Sequence, residues 1–150
     1  MKEPHLILRY QMANKQKKIL LIDDNEIDLK INSKVITLSG RFDDIVSCQS
    51  GEEAVKYIND NLANPKLWPD FILLDIQMPE MDGFDFLDIY KDFPHNFLNH
   101  CKLAILSSTL DFGDIKKAEA NPHVLKLLKK PLYPNDLNEV LKNLNLSVNV

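Results

Sequence analysis

The stretch FILLDIQMPEMDG, residues 71–83, decides how the rest of the chain is read. Phe71 to Leu74 form a short apolar run bounded by Pro69, the pattern of a strand buried on both faces. Asp75 stands where that run ends, and Pro79 and Gly83 mark the loop that follows. An acid at the tip of a core strand either caps a turn or helix, or is held out towards a ligand. The neighbouring segments decide between these readings.

Outward from that stretch, short apolar runs alternate with longer amphipathic ones. KILLI (18–22) reads as strand 1, and residues 26–40 as a helix closed by Gly40. DIVSC (44–48) reads as strand 2, and Ser50 with Glu53 forms a capping-box pattern that opens a helix towards Ile58. Residues 59–70 read as a long loop, 71–75 as strand 3, 83–93 as a third helix stopped by Pro94, and 94–101 as another loop. LAILS (103–107) is strand 4, and a fourth helix spans 112–120 before Asn121 and Pro122. LKLLK (125–129) is strand 5. The last helix begins after Pro131, with Pro134 in its first turn and Leu137, Val140, Leu141 and Leu144 on one face.

Five strands interleaved with five helices predict an α/β fold, a doubly wound, five-stranded parallel sheet with helices on both faces, its order taken as 2-1-3-4-5. No internal repeat or second domain interrupts the pattern. Residues 1–17 are expected to be a flexible extension, with Met12 as an alternative start; 18–146 form the domain and 147–150 a tail.

Composition narrows the function. An apolar fraction of 45% and a charged fraction of 27% fit an ordinary globular domain. The net charge of −4 argues against a general nucleic-acid or anionic-membrane binder. Residues 1–18 lack the long apolar run of a signal peptide, and no run approaches the ~20 residues of a membrane span. Cys48 and Cys101 fit neither a disulfide framework nor a metal knuckle, and are expected to be reduced, packed thiols in a cytoplasmic protein. His5, His95, His100 and His123 show no metal-ligand spacing, while Trp68, Met78, Met81, Phe84 and Phe86 read as packing.

The strand tips carry the chemistry. Strand 1 runs into Asp23 and Asp24, strand 3 into Asp75, strand 4 into Ser107 and Ser108, and strand 5 into Lys129, Lys130 and Pro131. In an open parallel sheet these ends share one edge, and ligands bind where the strand order reverses. With strands 1 and 3 flanking that point, three carboxylates converge. Two like charges about 4 Å apart cost roughly 4 kcal/mol at an effective dielectric of about 20. Such a cluster calls for a hard divalent cation, and oxygen donors suit Mg2+. Three acids, one Mg2+ and one lysine balance in charge, which leaves room for a phosphoryl group. Singly, each residue has an ordinary explanation: Asp23 and Asp24 as helix caps, Asp75 as a turn residue, Lys130 as a solvated lysine. Together at four strand tips, they point to a site.

LLIDDNE, LLDIQMPEMDGF, ILSS and KKP, in this order and spacing, resemble the receiver domain of bacterial two-component response regulators over roughly residues 17–145. The resemblance implies the flavodoxin-like, CheY-like version of the fold. It implies Asp75 as phosphoacceptor, with Asp23, Asp24, Asp75 and the Gln77 backbone carbonyl holding Mg2+, for which Mn2+ substitutes. It implies catalytic parts for Ser107 and Lys130, a cis Lys130–Pro131 peptide, and switching through Ser107 and Ser108. The position that is aromatic in many receivers is Leu127 here, which puts the usual hydroxyl-to-aromatic relay in doubt.

The implied partners are a sensor histidine kinase or a histidine phosphotransfer protein, a further downstream protein, and a second copy bound weakly through the helix 4–strand 5–helix 5 face. Direct contact with nucleic acid or membrane is not expected. With no output domain after the last helix, the expected role is a stand-alone phosphorylation switch, not a turnover enzyme. Two alternatives remain open at this stage. One is a Mg2+-dependent phosphohydrolase with an aspartate nucleophile, although Asn25 stands where such enzymes carry a second aspartate after Asp23. The other is a phosphorylation-independent pseudo-receiver scaffold.

Overall fold

The computed structural model describes residues 17–109 and 111–142. The strands are β1 (Lys18–Ile22), β2 (Asp44–Cys48), β3 (Phe71–Leu74), β4 (Lys102–Ser107) and β5 (Lys126–Lys129). The helices are α1 (Glu26–Ser39), α2 (Gly51–Asn61), α3 (Gly83–Tyr90), α4 (His95–His100), α5 (Phe112–Ala120) and α6 (Pro134–Lys142), and a 3-10 turn spans Pro65–Leu67. All strand pairs are parallel, as the alternation predicts, and the order is β2-β1-β3-β4-β5, the one expected. Residues 1–16 of the expected extension with Met12, Leu144 on the last helix and the tail 147–150 lie outside the described residues.

Side-chain alternation along the strands feeds two cores. Leu20, Ile22, Ile72, Leu74, Leu103 and Ile105 face one side, against Ala54, Ile58, Phe86, Tyr90, Phe97 and Ala118 of α2 to α5. Ile19, Leu21, Phe71, Leu73, Ala104 and Leu106 face the other, against Leu29 and Ile36 of α1 and Leu137, Val140 and Leu141 of α6. Cys48 and Cys101 are free and buried. No helix among the described residues is long and apolar enough to cross a membrane.

Three expectations need correction. The third helix stops at Tyr90 instead of running to Phe93: Asp92 and Phe93 N–H groups turn back to the carbonyls of Ile89 and Tyr90, and Pro94 disfavours helical backbone just before it. The segment 94–101, expected as a loop, contains α4, which inserts Phe97 fully into the core. The loop 59–70 is shortened at its start by α2 reaching Asn61 and interrupted by the 3-10 turn at Pro65–Leu67.

Candidate functional site

The sheet's hydrogen-bond ladders extend past the strand ends and anchor each chemistry-bearing residue. Asp23 N–H donates to Cys48 O at 3.0 Å, Asp75 N–H to Ile22 O at 2.9 Å, and Lys130 N–H to Ser107 O at 2.8 Å. One carboxylate oxygen each from Asp23, Asp24 and Asp75 lies within 4.8 Å of the others. Asp23 and Asp75 are buried, at 4% and 5% exposure, while Asp24 is exposed.

The local chain explains why these acids are presented to the crevice. The N-cap of α1 is Asn25, whose side chain accepts from Asp28 N–H at 3.1 Å, so Asp23 and Asp24 are not the helix caps. Asp82 caps α3 in a reciprocal capping box with Asp85, so Asp75 is not a helix cap either. Asp75 does brace its own turn, accepting from Gln77 N–H at 3.1 Å through Oδ1. The loop then folds tightly back: Gly83 N–H donates to Ile76 O at 2.8 Å, and a Cβ at Gly83 would lie 2.7 Å from Asp75 O. Glycine is required there by close approach.

Lys130 reaches this cluster from β5, and the Lys130–Pro131 peptide is cis. Its Nζ lies 2.6 Å from Asp23 Oδ2, 2.9 Å from Asp28 Oδ2 and 3.5 Å from Asp75 Oδ2. Burial lowers the ammonium's proton affinity, but the hydrogen bonds it donates to Asp23 and Asp28, with the nearby charges of Asp75 and Asp23, more than reverse this and hold its pKa above the ordinary value. Asp75 is pushed up to about 6, first by burial and then by the charge of Asp23, against the opposing pull of Lys130 and the Gln77 N–H.

Ser107 is fully buried, and its hydroxyl is turned into the following loop, where it donates to Thr109 O at 3.0 Å. Ser108 is exposed, and Leu127 packs partly buried against the core on the α2–α5 side. Trp68 lies at the opposite end of β3 from Asp75, donating from Nε1 to Leu62 O and packing edge-on against Phe97. Two residues escape a sequence reading. Asp28 looks like an ordinary first-turn acid of a helix, and only the meeting of α1 with the tip of β5 shows its contact with Lys130. Asn32, one turn further along α1, is buried and lines a very small cavity together with Asp23, Asp75, Leu21 and Leu73.

A family model described as the response regulator receiver domain matches residues 19–142. The chain belongs to the response regulator receiver domain family. This receiver domain is 30% identical over 143 residues to hybrid signal transduction histidine kinase B of Dictyostelium discoideum, a match covering 89% of this chain and 7% of that protein. It is 25% identical over 128 residues to the polar-differentiation response regulator DivK of Brucella ovis, covering 83% of this chain and 96% of that protein. Among solved structures, it superposes on a two component response regulator from Cytophaga hutchinsonii with a TM-score of 0.79 at 35% identity, covering 87% of this chain and 97% of that one. The chain spans 7% of the length of the histidine kinases it matches.

Proposed function

We propose that this receiver domain accepts a phosphoryl group on Asp75 from a phosphohistidine of a histidine kinase or phosphotransfer protein, and passes on the signal through phosphorylation-dependent protein contact in the cytoplasm. The observation that carries the proposal is the convergence of three carboxylates beside one partly buried ammonium at the strand-order switch point.

The all-oxygen donor set of Asp23, Asp24 and Asp75 suits Mg2+, with the Gln77 carbonyl as a further donor and Mn2+ as a substitute. When bound, the cation offsets negative charge on the transferring group. Asp75 supplies the nucleophile: a carboxylate oxygen forms a bond to phosphorus, the phosphorus–nitrogen bond to histidine breaks, and the leaving imidazole keeps the electron pair. The Gln77 N–H and the ladder bond to Ile22 keep the carboxylate turned to the crevice. Lys130 offers its ammonium to the incoming oxygens. Ser107 releases Thr109 O and donates to the phosphoryl group, drawing the loop after β4 inward. Water then hydrolyses the acyl phosphate and resets the switch.

Incubation with acetyl phosphate and Mg2+, followed by intact-mass measurement, tests the reading. One added phosphoryl group, absent from Asp75→Asn, is the expected result. An unmodified wild type, or equal modification of the variant, overturns it.

A further inference from the structure

The proposed mechanism asks Lys130 to neutralise the group on Asp75, yet its ammonium sits closer to two other acids. Nζ is within hydrogen-bond distance of Asp23 and Asp28, at 2.6 and 2.9 Å, and only grazes Asp75 at 3.5 Å. Asp28 is distinct from the other two. It stands outside the trio whose oxygens converge for a cation. Its side chain is 33% exposed, against 5% for Asp23 and 7% for Asp75, so it draws the ammonium towards the rim of the crevice. Its place is also fixed, because its own N–H is held by the Asn25 cap in the first turn of α1.

We propose that Asp28 is a positioning residue that holds Lys130 off Asp75 in the unphosphorylated protein and competes with the phosphoryl group for the ammonium. The proposal rests on the reading of Asp75 as phosphoacceptor. A cation bound by Asp23 weakens that residue's pull on Lys130, whereas Asp28 lies outside the cation's donor set and keeps its own. The ammonium is therefore divided between Asp28 and the phosphoryl oxygens. The strength of the Asp28 pair sets how tightly the phosphoryl-bearing form is held. With Asp28 included, four carboxylates face one ammonium, and a divalent cation still leaves the empty site with net negative charge. Asp28 thus disfavours the arrival of further anions.

The test is the affinity for beryllofluoride, a phosphoryl mimic, at saturating Mg2+, in wild type, Asp28→Asn and Asp28→Glu. Asp28→Asn keeps the shape and removes the charge, and is expected to bind about threefold to fivefold more tightly, the scale of a partly exposed ion pair. Asp28→Glu keeps the charge and should stay near wild type. A second readout needs no ligand: the 15N signal of the Lys130 ammonium should shift and its protons exchange faster in Asp28→Asn but not in Asp28→Glu. A purely structural role for Asp28 would leave that signal in place. Unchanged or weaker binding by Asp28→Asn, with wild type binding normally, overturns the proposal. Failure of wild type itself to bind the mimic overturns the phosphoacceptor reading, and this inference with it. Should Asp28→Asn not fold, Asp28→Ser is read by the same two measurements.

Discussion

At the N-terminal edge of the sheet, Lys18, Asp44, Asp70 and His100 face one another around a cavity of about 80 Å3. Lys18 Nζ donates to Tyr57 Oη at 2.8 Å and Leu67 O at 3.0 Å, and lies 3.8 Å from Asp44. Asp70 accepts from Lys18 N–H at 2.8 Å and has His100 Nε2 at 2.8 Å on its other oxygen. At the C-terminal edge, Asp23, Asp28 and Asp75 share the ammonium of Lys130, and an oxygen of Asp24 lies close to those of Asp23 and Asp75. The residue types are alike and the outcomes opposite. One edge is closed on itself and ties strands to loops; the other is left short of positive charge, which is a condition for accepting a ligand. Charge at a strand end is therefore not informative by itself. The charge that neighbouring strand ends fail to cancel is.

Lys130→Met should break this contrast most severely. It strands Asp23 and Asp75, both nearly buried, with no ammonium beside them. A stability loss of about 3–5 kcal/mol in chelator is expected from denaturant titration, with part regained on adding Mg2+. Loss without any regain would mean that the edge is closed structure like its opposite.

Asp75→Asn should act in the other direction and stabilise the ligand-free protein by about 2 kcal/mol. The sign follows from linkage. Asp75 titrates near 6 in the folded chain against an ordinary 3.8, so the folded state binds the proton more tightly than the unfolded state. Its contribution is fully present below the ordinary value and is lost as pH rises through about 6. Denaturant midpoints measured across that window should decline for wild type and be flatter for Asp75→Asn. Lys130 keeps Asp23 and Asp28 as partners in the variant, so no charge is orphaned.

The smallest effect belongs to the closed edge. Asp70→Ala removes the acceptor of Lys18 N–H and the partner of His100, and should cost about 1 kcal/mol. Phosphoryl uptake from acetyl phosphate should be unaltered. A parallel loss of uptake would show that the two edges are not independent.

Once the order 2-1-3-4-5 is taken, the convergence of Asp23, Asp24, Asp75 and Lys130 is legible in the sequence, because strand tips in a parallel sheet share an edge. The helix α4 was not: six residues after a proline, with no side-chain cap, offer too little periodicity to mark a helix. The division of labour at residues 23–25 was ambiguous, since aspartate and asparagine both cap helices, and only the hydrogen bond from Asp28 N–H assigns the cap to Asn25. Asp28 itself was hidden by distance along the chain. Its partner lies 102 residues away, and nothing local distinguishes it from any acid in a helix's first turn. The place of Ser107 at the end of β4 was legible, but the direction of its hydroxyl, towards Thr109, depends on a loop conformation that composition does not encode.

The C-terminal edge is proposed to hold a divalent cation that its opposite edge does not need. Calorimetric titration with Mg2+ near neutral pH tests this most directly. Wild type should bind one ion per chain with a rise in thermal midpoint, and Asp24→Asn should bind it much more weakly. Absence of both heat and midpoint shift in wild type, or binding untouched by Asp24→Asn, would contradict the account.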